Sequence, residues 1–260
     1  MEKIRVAAVS YLNTQPFLYG LRKAKIYNMI DMSLDIPSEC ARKLLADEVD
    51  IALVPITVIP KMKEYYLVSD FCIGADKPVK SVKLFSEVPI EQVENVYLDY
   101  QSRTSNLLIQ ILMQFWWKKK VTFIHGKENY EKNISENTAG IIIGDRALAM
   151  ASKFQYQYDL AEEWINLTKM PFVFASWVSN KKIPSNVQKD FNEALAFGVK
   201  HKEEAVQEAV KKFSGNFDLN DYLMNCINYH LDENKKKSMK LFFQYKRELN
   251  WDVILENESH

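Results

Sequence analysis

Four hydrogen-bonding residues in succession, Ser102-Arg103-Thr104-Ser105, follow the short β-type run Val96-Tyr97-Leu98. Apolar residues at 107, 108, 111, 112 and 115 then recur at helical spacing. The stretch reads as a strand running into a helix, with three hydroxyls and one guanidinium at the junction. A helix start offers unpaired N–H groups and the positive end of the helix dipole, so this junction has the chemistry to hold an anion. The planar fork of Arg103 suits a carboxylate. Serine and threonine also serve here as plain helix caps and arginine as a solvated charge, and the local sequence leaves both readings open.

A second polar group lies in Ser10-Tyr11-Leu12-Asn13-Thr14-Gln15-Pro16, directly after the strand-like run Ile4 to Val9. In an open α/β sheet, ligands are met beyond the carboxyl ends of strands, which makes Ser10, Asn13 and Thr14 cleft candidates. Asn13 equally suits a turn, and Thr14 a cap ahead of Pro16. His125 follows another strand end but stands alone. No Ser-His-Asp arrangement, phosphate-cradling loop or metal-ligand cluster is present, and seven glycines in 260 residues argue against a GxGxxG nucleotide fold. Hydroxyls, amides and one arginine near strand ends are a binder's equipment. Any catalysis is expected to come from positioning and fixed dipoles.

Composition bounds the partners. Lysine plus arginine and aspartate plus glutamate both number 34, so no global field attracts nucleic acid or an anionic membrane, and an anion site has to be local. No window approaches a membrane span. The chain runs from a charged start straight into a strand without an apolar leader, and a cytoplasmic location is expected. Cys40, Cys72 and Cys226 are far apart and lack metal spacing, so free thiols are expected, without disulfide or zinc.

The elements that position these residues alternate. After Ile4 to Val9, a strand is expected at Ser33 to Ile36, a helix opening at Pro37-Ser38, and a buried strand at Val49 to Pro55, a rhythm that predicts a parallel sheet. Leu67 to Ile73 and Ser81 to Phe85 read as further strands. Near Pro89 a second run of alternating elements begins, through Val121 to Ile124, the buried Ile141-Ile142-Ile143 with Gly144-Asp145 at its end, and an amphipathic stretch from Tyr158 to Leu167. Pro171 to Val178 is extended and returns the chain to the first unit. The remainder reads as helices, with Ala194, Leu195, Phe197 and Val199 on one, Tyr222, Cys226, Ile227 and Tyr229 on another, and Met239, Phe242, Phe243 and Tyr245 on a third, all taken as packing stripes. The expectation is an α/β, two-lobed, type II periplasmic-binding-protein-like fold with a ligand cleft between lobes. Residues 1–90 plus 177–260 form the first lobe, and 91–176 the second.

The blocks VSYLNTQPF, VDIALVP, KSVKLFS, LDYQSRTS, IIIGDRAL and TKMPFVFASW occur in an order that resembles the MqnA family, the chorismate dehydratases of the futalosine route to menaquinone. The resemblance spans Val9 to Trp177. It implies a hydro-lyase that needs no cofactor or metal and removes water from chorismate to give 3-((1-carboxyvinyl)oxy)benzoate, acting as a monomer or homodimer. It implies Asn13 and Ser81 as catalytic groups, Ser102, Arg103, Thr104 and Ser105 as the carboxylate junction, and Tyr11, Thr14, Gly144, Asp145 and Phe172 as supporting contacts. With no obvious protein base, a substrate carboxylate or a water on Asn13 is expected to take the ring proton while Ser81 or Asn13 bonds the departing oxygen. A sister enzyme, 1,4-dihydroxy-6-naphthoate synthase, shares the junction but carries His-Glu where this chain has Gly144-Asp145. A non-catalytic cytosolic binder of a small carboxylate is the alternative from another class.

Overall fold

The computed structural model describes residues 3–150, 152–211, 213, 215 and 217–249. Strands Ile4–Val9 (β1), Ile30–Asp35 (β2) and Ile51–Pro55 (β3) alternate with helices Gln15–Lys23 (α1) and Pro37–Leu45 (α2). β1 pairs in parallel with β2 on one side and β3 on the other. β3 is buried along its whole length, which is why its sequence, IALVP, lacks any polar alternation. Pro37 stands in the first turn of α2, where its missing N–H leaves no helical bond unmade.

The chain continues through Tyr66–Ala75 (β4), Val82–Ser86 (β5), Asn95–Leu98 (β6), Arg103–Ile111 (α3), Thr122–His125 (β7) and Thr138–Ile143 (β8). Gly144–Met150 (α4), Tyr156–Asp159 (β9), Leu160–Thr168 (α5) and Phe172–Ser179 (β10) follow. Ser185–Lys200 (α6), Lys202–Val210 (α7), Leu219–Asp221 (α8), Asn228–His230 (β11) and Glu233–Glu248 (α9) complete the described elements. Among the described residues two mixed sheets form, ordered β11-β4-β10-β3-β1-β2 and β7-β6-β8-β5-β9.

Both sheets depart from the purely parallel expectation. β10 runs antiparallel between β3 and β4, and β5 antiparallel between β8 and β9. Each is a strand arriving from the other lobe, so its direction is set by the crossing and not by a βαβ unit. The lobe boundary moves accordingly. The segment 81–85, expected in the first lobe, belongs to the second sheet, where Phe85 packs with Ile142, Ile134 and Tyr130. The chain therefore crosses in the polar stretch 76–80, before β5 and not near Pro89, and returns ahead of Phe172 and not at 177. Two further elements were not legible. β9 precedes the helix in the amphipathic stretch, and Asn228–His230 is a strand on the edge of β4, so Tyr222 and Tyr229 do not share a helix.

The C-terminal helix α9 does more than finish the first lobe. Trp164 on α5 donates its indole N–H to Ser238 Oγ at 3.0 Å, and its ring lies edge-on to Phe242 and Tyr245 at 5.8 and 5.9 Å. The two lobes thus share one apolar seam. In the first lobe, α1 and α6 cross where Gly20 faces Gly198. A Cβ on Gly20 would stand 2.0 Å from Ala194 O, and one on Gly198 1.9 Å from Pro16 O. This close approach fixes α1, and with it the loop that carries Asn13. Gly198→Ala is expected to destabilise the fold by about 1–3 kcal/mol through forced separation of the helices. The urea midpoint measures this, with the exposed Lys200→Ala on the same helix as a control that leaves it in place.

Candidate active site

A cavity of about 530 Å³, mouth included, lies between the sheets. It is lined where strands end: by Val9 of β1, Pro55 of β3 and Ile143 of β8. Ile73, Val79, Val82, Phe174 and Ala175, from the two crossings and their strands, complete the apolar wall. The polar lining consists of Tyr11, Asn13, Ser81, Ser102 and Ser105. The helices α1, α2 and α3 begin at or beside this space, at Gln15, Pro37 and Arg103, so their positive ends point toward it. That convergence supplies favourable potential for an anion without a cationic side chain in the wall.

Ser102 caps α3 by accepting from Ser105 N at 3.1 Å, and its own proton goes to Ser105 Oγ at 2.8 Å. The Ser105 hydroxyl proton is thereby left for the cavity. Both residues are buried. The loop before them is built around Asp99, whose side chain is enclosed and accepts from Arg146 Nη2 at 2.5 Å, Tyr130 OH at 3.0 Å and Gln101 N at 2.8 Å. Arg146 also pairs with Glu131 and lies 5.0 Å over the Tyr100 ring. Asn106 clamps the Asp99 backbone from both sides, accepting from its N–H at 2.9 Å and donating to its carbonyl at 2.8 Å. Burial raises the Asp99 carboxyl, and the adjacent guanidinium opposes that shift.

Across the cleft, Tyr11 donates to Gln101 Oε1, bridging the lobes. Its ring lies against Gly144, which has a φ of 61° and where a Cβ would sit 3.0 Å from Tyr11 Cε2. Glycine is needed there on both counts. Burial, with Asp99 adding to it, raises the Tyr11 phenol and keeps it protonated. Asn13 is 9% exposed and accepts from Thr14 Oγ1 at 3.3 Å, while its backbone carbonyl accepts from Tyr229 OH at 3.0 Å. Ser81 is 1% exposed, its carbonyl accepts from Gly144 N at 2.7 Å, and its hydroxyl accepts from Tyr222 OH at 2.9 Å.

Tyr11, Asn13, Ser81, Ser102, Ser105 and Gly144 therefore meet in one cavity, as the spacing of their motifs alone did not require. The other candidates lie elsewhere. Arg103 is exposed and outside the lining, because it occupies the first turn of α3 on the side away from the capping serines. Thr104 points behind the site, donating to Phe174 O at 3.3 Å and lying 3.4 Å from Thr57 Oγ1. Thr14 is buried beneath Asn13. Phe172 belongs to the aromatic core with Trp164 and Phe242, and Phe174, two residues along β10, faces the cavity instead. Ser10 and His125 are exposed and outside the lining. Asp145 accepts from Leu12 N at 3.4 Å and lines a neighbouring groove with Gln15 and Arg22, where burial pushes its carboxyl up to about 6. Tyr222 and Tyr229 carry no local signal, since their apolar neighbours make them indistinguishable from packing residues until the fold sets them beside Ser81 and Asn13.

Comparison with known proteins gives the family. Among curated proteins, the chain is 26% identical over 234 residues to a chorismate dehydratase of Thermus thermophilus, covering 80% of this chain and 83% of that protein. It is 27% identical over 252 residues to a chorismate dehydratase of Campylobacter jejuni, covering 93% and 97%. Among solved structures, a protein of Archaeoglobus fulgidus superposes with a TM-score of 0.76 at 15% identity, covering 96% of this chain and 98% of that one. A Candida albicans protein described as having the generic periplasmic binding protein fold gives 0.66 at 13% identity, covering 93% and 90%. The periplasmic aliphatic sulphonate binding protein SsuA of Escherichia coli gives 0.57 at 13%, covering 95% and 93%. These structures show that the fold is the two-lobed periplasmic-binding-protein type. Because the menaquinone-biosynthesis family model matches residues 4–248, nearly the whole length, the chain belongs to the menaquinone-biosynthesis family.

Proposed function

We propose that this protein is a chorismate dehydratase, a cytoplasmic hydro-lyase that converts chorismate to 3-((1-carboxyvinyl)oxy)benzoate and water. The observation that carries the reading is the character of the cavity wall. Among the described residues that line it, Tyr11 alone is titratable, and the rest are apolar side chains, hydroxyls and the Asn13 amide. Such a wall suits a reaction whose driving force is aromatisation of the substrate and whose base is the substrate itself.

In this reading one carboxylate of chorismate sits at the start of α3, against the Ser105 hydroxyl and the open N–H groups of the first turn. The ring then lies over Val9, Ile73 and Phe174, between Asn13 and Ser81. A substrate carboxylate takes the proton from the ring carbon that bears the ether. The Ser81 hydroxyl and the Asn13 amide hydrogen-bond the hydroxyl that leaves from the adjacent carbon. Exclusion of water strengthens each of these contacts. Arg103, exposed at the same helix start, contributes charge from outside the wall and is not the carboxylate fork.

Incubation with chorismate alone, followed by ultraviolet absorbance and mass analysis, is expected to show an aromatic product lighter by one water. Unchanged chorismate, with lobe closure on binding, would identify a binder instead. Ser81→Ala is expected to lower kcat by about a hundredfold or more with little change in KM, because it removes a donor needed as the oxygen leaves. A raised KM at unchanged kcat would make Ser81 a binding contact only.

Asp145 is outside the chemistry in this reading, and Asp145→Asn should keep kcat within about twofold of wild type. Its folded carboxyl, at about 6, lies above the ordinary value, so the folded protein takes up that proton first. Stability is therefore lost as pH rises from about 4 to about 6, and the cost persists above that range. Asp145→Asn is expected to melt above wild type near about pH 8 and to match it below about pH 4. A collapse of kcat in this variant would restore carboxylate catalysis.

A further inference from the structure

Ser81 cannot supply its proton to a leaving oxygen unless that proton points into the cavity, and a serine hydroxyl rotates freely unless something holds it. The structure places one donor behind it. Tyr222, on the wide helical turn Tyr222–Cys226, is fully buried and gives its phenolic proton to Ser81 Oγ at 2.9 Å. Beside it, Thr14 Oγ1 donates to Asn13 Oδ1 at 3.3 Å, which orients the Asn13 amide.

We infer that Tyr222 is a positioning residue for the dehydration, holding Ser81 as an acceptor from behind so that the Ser81 proton is free for the departing oxygen. The inference rests on the chorismate dehydratase reading. A phenol carries one proton, and with it given to Ser81 Oγ the Ser81 proton is directed elsewhere, so the row runs from Tyr222 to Ser81 and from Ser81 to the cavity. Tyr222 does not line the cavity and touches no substrate. Burial raises its phenol far above the ordinary range, so it remains a donor at every working pH. The ring is steadied by Phe217 edge-on at 6.5 Å, and Tyr229 from the following strand holds the Asn13 carbonyl at 3.0 Å.

The step itself balances within the substrate. The ring C–H bond beside the ether breaks and its electron pair becomes the new ring double bond, while the adjacent C–O bond breaks and its pair leaves with oxygen. The substrate carboxyl that took the first proton returns one to the departing hydroxide as water. Ser81 contributes an oriented hydrogen bond and no net proton. The row also spans both parts of the fold. Ser81 stands at the crossing into the second sheet and Tyr222 in the C-terminal part of the first lobe, so the bond joins the two.

The test compares wild type, Tyr222→Phe, Ser81→Ala and the double variant, with kcat and KM for chorismate and the melting temperature of each. Tyr222→Phe is expected to lose about ten- to a hundredfold in kcat with KM within about twofold. In the Ser81→Ala background the same change is expected to cost no further kcat, because its effect passes through Ser81. A wild-type kcat for Tyr222→Phe, or an equal loss in both backgrounds, overturns the inference. Fluorotyrosine placed at 222 covers the case in which phenylalanine unsettles the fold: kcat should move with phenol acidity at constant KM, and an unmoved kcat again overturns it. An inactive wild type would overturn the dehydratase reading itself, which separates the two failures.

Discussion

The first N–H groups of every α-helix lack partners within the helix, and this structure turns that deficit toward one space. α1, α2 and α3 begin beside the carboxyl ends of strands, and the strands of both sheets end facing each other across the cleft. The cavity therefore has helix starts beside it while its lining side chains are neutral, the Tyr11 phenol staying protonated. A dianionic substrate fits such a wall better than a lysine-rich one would, since fixed dipoles need no counter-charge and do not reorganise as charge moves. The same constraint explains the care spent on the loop from Asp99 to Ser102. Three donors and the Asn106 clamp hold it so that the capping serines present their hydroxyls in one arrangement.

Closure depends on a small number of polar contacts laid over an apolar seam. Tyr11 reaches Gln101, Leu12 N reaches Asp145, and Tyr222 reaches Ser81, each from the first lobe to the second. Trp164, Phe242 and Tyr245 supply the apolar part. Polar contacts of this kind have little net strength in water but strict geometry, so they set register, and the aromatic seam supplies most of the stabilisation. The C-terminal segment thus belongs to the site as much as the motif-bearing strands do. It supplies Tyr222 and Tyr229 behind Asn13 and Ser81, and α9 across the outside.

This division of labour is consistent with membership of the menaquinone-biosynthesis family on a scaffold whose other solved members include solute binders. Binding proteins of this fold need a cleft that closes. A dehydratase needs in addition a hydroxyl whose proton faces one way, and that requirement falls on residues behind the wall.

Local sequence determined the strands β1 and β3, the start of α2 at Pro37, and the cap of α3 at Ser102, because each depends on period, proline or a side chain within one helical turn. It also carried Asn13, Ser81, Ser102 and Ser105 through motifs that sit at strand ends. Only the tertiary structure decided that β5 pairs in the second sheet and that Arg103 turns to solvent while Ser105 turns inward. It alone set Phe174, in place of Phe172, against the cavity. These outcomes depend on pairing and side-chain direction across more than one element; Phe172 and Phe174, two residues apart on β10, are told apart only by what the rest of the fold packs against each. Tyr222 is the clearest case. Its sequence neighbourhood reads as packing, and its partner Ser81 lies 141 residues away in the chain, so the bond between them exists only once both lobes are in place.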